Sequence, residues 1–168
     1  MPAVAVPTFE RQRVPRVADE RSMLEAWLEF HRATLLMKCD GLDQEQLKRR
    51  AADPSTLSLL GLVRHMTEVE RGWFRRRVAG LDLGPLYYTK ERPDDDFDAL
   101  EDTPVEEVFA RYVAEVEACR QVMAGVSLDD VRAEYSVRWI VTHMIEEYAR
   151  HNGHADLLRE CIDGATGD

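Results

Sequence analysis

The stretch RWIVTHMIEEYARHNGHADLLREC, residues 138–161, carries most of the information in this 168-residue chain. Wound at about 100° per residue, it gathers Trp139, Ile140, Met144, Ala155 and Leu158 on one side, with Ile162 just beyond, as an amphipathic helix packed on a core requires. Ionisable groups interrupt that side. With His143 as zero, His154 falls at about 20°, Glu147 at about 40° and His151 at about 80°. Burying such groups without partners costs several kcal/mol, so they must be paired, neutralised or bound to a cation. A divalent metal would satisfy them together.

Three more helices are predicted upstream. Leu24, Trp27, Leu28, His31 and Leu35 recur at helical spacing over about 20–39, with Gly41 as a stop. Asp53-Pro54-Ser55 offers starting chemistry for a second helix ending near Gly80, with an inward stripe of Ser58, Gly61, Leu62, His65, Val69 and Trp73. Thr103-Pro104-Val105-Glu106 reads as a capping box opening a third helix, carried by Val105, Val108, Phe109, Tyr112, Val116 and Cys119 to about Gly125. Ser136 caps the fourth. No stretch alternates with period two, so the prediction is an all-α four-helix bundle over 19–168. Residues 1–18 read as an extended N-terminal arm, because Pro2, Pro7 and Pro15 break helices and no secretory pattern appears. The connection 81–102 is long for a compact domain, and reads equally as a lid over a pocket or as a solvated crossover.

Composition excludes several classes. Acidic residues outnumber basic ones 32 to 22, and the net charge of −10 opposes nucleic-acid binding in the absence of a basic patch. No uncharged apolar run is long enough for a membrane span. Cys39, Cys119 and Cys161 are scattered and odd in number, which fits a reducing cytosol; Cys119 and Cys161 lie on apolar faces as small hydrophobes. The tryptophans and tyrosines at helical spacing read first as core. No nucleophile elbow, dinucleotide loop or P-loop is present. Among the cations only Lys38, Lys48 and Lys90 are lysine, an arginine bias of GC-rich bacterial genomes.

Four of the five histidines fall on two inward faces beside a glutamate. His65 sits at the centre of the second helix's stripe, with Ser58, Gly61 and Gly72 leaving room on the same side. Together with Glu147 and His151, at (i, i+4), it makes three metal ligands with an open position, as in catalytic sites. A metal-free His/Glu/Arg network is the other reading. His143 and His154 could hold a ligand's tautomer, face substrate, move a proton, or replace Glu147 as ligand. His31 reads as a hydrogen-bonded core histidine.

The segments Asp19-Glu20-Arg21, Leu59-Leu60-Gly61-Leu62-Val63-Arg64-His65 with Glu68 and Glu70, and Trp139 to Glu147 continuing through Ala149 to Asp156, resemble the DinB/YfiT-like metalloenzyme superfamily, in particular its mycothiol transferases. The resemblance implies a four-helix bundle whose divalent metal, usually zinc or nickel, is held by one second-helix histidine and two fourth-helix residues. These map onto His65, Glu147 and His151. Many members place histidine at the position of Glu147, whereas the similar mycothiol-dependent maleylpyruvate isomerases use a Glu-xxx-His pair, so the departure favours the thiol-using branch. The implied activity is a metal-dependent thiol S-transfer from mycothiol, an actinobacterial thiol, to an electrophilic small molecule, a detoxification in the cytoplasm. A metal-dependent hydrolase and a non-enzymatic binding bundle are the alternatives, and a homodimer is left open.

Overall fold

A computed structural model describes residues 2–167. Helix α1 (Glu20–Cys39) begins where the Asp19 carboxylate accepts the Ser22 N–H at 3.0 Å, and it stops before Gly41, whose φ of +77° suits glycine. A five-residue α2 (Gln44–Lys48) follows, then α3 (Leu59–Glu70). α3 runs without a break into a π-helical segment, Arg71–Val78, where Ala79 N–H reaches Phe74 O at 2.9 Å. After a four-residue α4 (Asp95–Asp98) come α5 (Val105–Ala124), a two-residue antiparallel pair, β1 (Val131–Arg132) with β2 (Tyr135–Ser136), and α6 (Val137–Asp163). The all-α bundle is as predicted, with two short helices and one small strand pair added.

The contacts between helices fix their directions. Arg138 near the start of α6 pairs with Glu20 at the start of α1, and Arg159 near its end reaches the Lys38 and Asp40 carbonyls, so α1 and α6 are parallel. Arg21 binds the Met123 and Val126 carbonyls at the far end of α5, which therefore runs opposite to α1. α3 runs opposite to α6, because His65 meets His151 while Trp73 meets Trp139. It follows that α3 and α5 run the same way. A chain leaving α3 must travel back the ~30 Å of a 20-residue helix before α5 can start, which is why residues 81–102 form so long a connection.

Several local expectations are corrected. Helix α3 starts at Leu59, not near Asp53, because Ser58 stands directly before the apolar run and its buried hydroxyl accepts the Gly61 N–H; Ser58 is a cap rather than part of the inward stripe. The capping box at Thr103 does not form. Thr103 donates its hydroxyl to Ala99 O, and Pro104 occupies the cap position without a side-chain bond. Trp27 and Trp139 are 41% and 45% exposed rather than core, and Cys161 is exposed. Cys119 is buried as read and Cys39 is buried as well; burial pushes the Cys39 thiol up to about 12 and Cys119 higher still, so both are inert thiols at neutral pH.

The core is formed by Leu35, Leu59, Leu62, Val63, Met66, Phe74, Val105, Phe109, Val116, Ile140, Met144 and their neighbours, and it encloses one polar network. Glu70, fully buried, is gripped by Arg32 through Nε and Nη2, both at 2.7 Å. It also accepts the Tyr148 hydroxyl at 2.8 Å, and Tyr148 meets the Tyr112 hydroxyl at 2.9 Å. Residues 2–18 form neither helix nor strand but lie on the bundle: Val4 N–H donates to Leu42 O, Phe9 packs on Tyr112, and Arg11 covers the Phe30 ring.

Candidate metal centre

Two rows of side chains, each at four-residue spacing, face one another across the α3–α6 contact. On α3 and its π-helical extension the row is Gly61, His65, Val69, Trp73 and Arg77; on α6 it is Trp139, His143, Glu147 and His151, with Tyr135 of β2 ahead of it. Antiparallel packing sets His65 against His151, ring centres 4.7 Å apart, and Trp73 against His143 and Trp139. The i, i+4 geometry then brings Glu147 Oε2 to 3.5 Å from His151 Nε2. Donor atoms of His65, Glu147 and His151 all lie within 4.8 Å of one another, as do those of His143, Glu146 and Glu147.

The first trio fits a divalent transition ion. Its two imidazole nitrogens are borderline donors and its carboxylate oxygen a harder one, a mixture that such ions accept, and the 3.5 Å between Glu147 and His151 is close to the ~3.4 Å edge of a tetrahedron with 2.1 Å bonds. His151 is buried, and burial, reinforced by the positive fields of His65 and His154, lowers its pKa to about 4. The imidazole is therefore neutral, with a lone pair free, throughout the physiological range. The same shift has a measurable cost. Since the unfolded chain takes up a proton below pH ~6.5 that folded His151 refuses until about 4, acid destabilises the metal-free protein across that window. A thermal midpoint that falls from pH 7 to pH 4.5, and falls less in His151→Gln, is the expected result.

The structure adds two residues that sequence reasoning missed. Asp96, on α4 in the long connection, is buried and places Oδ2 2.8 Å from His65 Nδ1, which leaves Nε2 for the site. Phe97 stacks on the His65 ring, their centres 4.4 Å apart. The space expected beside Gly61 is thus taken by the connection: a Cβ there would meet Phe97 O at 3.3 Å and Phe97 Cα at 3.4 Å. Glu68 holds the same connection by accepting the Leu86 and Tyr87 N–H groups at 2.5 and 2.6 Å. An Asp94-Asp95-Asp96 run resembles a solvated loop in sequence, and only the path of the backbone shows that its third member turns inward.

The other histidines separate. His143 is half-buried, stacked on Trp139 at 4.9 Å, with Nε2 3.3 Å from Glu147 Oε1 and Nδ1 3.1 Å from the Glu146 carboxylate. His154 Nδ1 lies 3.3 Å from His151 Nδ1, where one ring must donate to the other. His31 is away from the trio, half-buried, with the Asn152 amide donating to its carbonyl at 3.0 Å and lying 3.3 Å from its Nδ1. Beside His65 a cleft of ≈ 280 Å³ opens between the π-helical segment and the connection, bordered by Val69, Trp73, Arg76, Tyr88, Pro93 and Asp96.

Among the described residues no helix is long and apolar enough to cross a membrane. No curated protein and no solved structure gives a significant match to the chain. A family model described as mycothiol-S-transferase matches residues 23–164, from the first turn of α1 to the end of α6 and thus across both rows of the candidate site. The chain belongs to the mycothiol-S-transferase family.

Proposed function

We propose that this protein is a metal-dependent thiol S-transferase that joins mycothiol to an electrophilic small molecule, with His65, Glu147 and His151 as metal ligands. The observation that supports it is the convergence of those three donors beside an open cleft in a chain of this family. A zinc- or nickel-like ion held there lowers the pKa of a thiol that reaches it and so supplies thiolate at neutral pH. The protein's own groups do the rest. Asp96 fixes the His65 ring with Nε2 inward, and Phe97 covers its face against water. His154 fixes the tautomer of His151. His143, between Glu147 inside and Glu146 outside, is placed to take the proton that the thiol sheds and pass it to the surface carboxylate. Such chemistry on a cellular thiol places the protein in the cytoplasm, in the disposal of reactive electrophiles.

The test is spectroscopic. Mycothiol added to the cobalt-substituted protein should give a sulfur-to-metal charge-transfer band with release of protons, and thiol and electrophile should then be consumed together. No spectral change with any thiol, alongside turnover of ester or amide substrates, would replace the transferase with a hydrolase; neither activity would leave a binding bundle.

A further inference from the structure

The cleft beside His65 has an electrostatic asymmetry. Its two carboxylates are both turned to other partners: Glu68 accepts the Leu86 and Tyr87 N–H groups, and Asp96 is engaged with His65 and with its neighbour's N–H at Phe97. Of its two arginines, Arg77 donates to Gly72 O at 3.1 Å and lies over the Trp73 ring, its guanidinium carbon 4.2 Å from the ring centre. The Arg76 guanidinium has no ion pair, hydrogen bond or ring partner among the described residues. Arg76 therefore leaves at this cleft a positive charge that neither of the cleft's carboxylates neutralises. The π-helical register contributes, because Arg75, one residue earlier, is turned away from the cleft to the Glu115 carboxylate at 2.9 Å.

We infer that this cleft is the subsite for the electrophile, and that the electrophile is a carboxylate-bearing molecule with a flat apolar body. This rests on the S-transferase reading above. The carboxylate is bound by Arg76, whose planar fork matches its two oxygens. Val69, Trp73 and Pro93 border the apolar body, and His65, the one of the three donors that lines the cleft, marks the end at which the reactive carbon sits. A cleft of ≈ 280 Å³ suits a molecule of about the size of a substituted benzoate. The step it positions is a displacement: the thiolate sulfur forms a bond to the electrophilic carbon, the carbon–leaving-group bond breaks, and the leaving group departs with its electron pair. The proton lost by the thiol goes to solvent by way of His143.

4-(Bromomethyl)benzoate and its methyl ester share ring, reacting carbon and bromide leaving group, and differ in the charge. With the metal-loaded protein and mycothiol, the acid should be used with at least tenfold higher kcat/KM than the ester, after subtraction of the uncatalysed rate. Arg76→Gln should collapse that ratio toward one by raising KM for the acid, and Arg76→Lys should restore part of it. A ratio of one in the unmodified protein, or a ratio untouched by Arg76→Gln, overturns the inference. Binding of unreactive 4-methylbenzoate, followed by tryptophan fluorescence in metal-free protein, separates the two readings. Saturable quenching that Arg76→Gln weakens about tenfold supports the subsite even if no thiol is consumed, whereas no quenching overturns it even if the transferase is active.

Discussion

Reconstitution with zinc, nickel or cobalt should load about one ion per chain, and His65→Ala or His151→Ala should reduce this to background, because each substitution leaves only two donors on a site bordered by apolar rings. Glu147→Gln should weaken binding strongly, since the amide keeps the shape of the carboxylate but not its charge. His31→Ala should leave loading intact, as that ring binds Asn152 and lies outside the trio. Asp96→Asn is the finer probe: with His65 Nδ1 no longer held by an anion, affinity should fall about 10-fold or more while the helical spectrum is unchanged. Elemental analysis and competition with a chromophoric chelator read all of these. Full loading of His151→Ala would remove the proposed site.

Glu70→Ala should be the most destabilising single change in the bundle. It would leave the Arg32 guanidinium, almost wholly buried, without the carboxylate that takes two of its donors, and it would strip an acceptor from Tyr148. Breaking one side of a buried ion pair costs about 3–5 kcal/mol, which for a domain of this size lowers the thermal midpoint by roughly 10 °C or more. Tyr148→Phe removes two hydrogen bonds, to Glu70 and to the Tyr112 hydroxyl, but leaves the ion pair intact and should cost only about 2 kcal/mol. Chemical denaturation of the three proteins compares them directly, and a Glu70→Ala loss no larger than that of Tyr148→Phe would mean that Arg32 finds water instead.

The helices were legible because each long one writes its buried face at spacings of three and four, and because Asp19, Ser136 and Gly125 mark ends by local chemistry alone. The donors His65, Glu147 and His151 were legible for the same reason, as ionisable groups on otherwise apolar faces. What escaped depends on where the backbone goes between helices. Asp96 and Phe97 reach His65 across 31 and 32 positions of sequence, and nothing in the run around them marks an inward turn. The π-helical segment has no periodicity of its own to show. Trp139 reads as core on a wheel, yet it lies at the open end of the α3–α6 contact where the stack with Tyr135 and His143 meets solvent. Glu70 was within reach: it stands four residues from both Met66 and Phe74, on a stripe where only a paired carboxylate could survive.

The return crossing that parallel α3 and α5 impose has a consequence for how such bundles diversify. The three candidate donors belong to two long helices clamped by the core, while the cleft beside His65 draws its wall from α3 at Glu68 and Val69, from the π-helical segment at Trp73 and Arg76, and from the crossing at Tyr88, Pro93 and Asp96. Loops accept insertion and replacement far more readily than packed helices do. On the proposed function, replacing the outer part of the crossing would alter what the cleft admits without disturbing the helices that carry the three donors; the short inward stretch at Asp96 and Phe97 ties the two together.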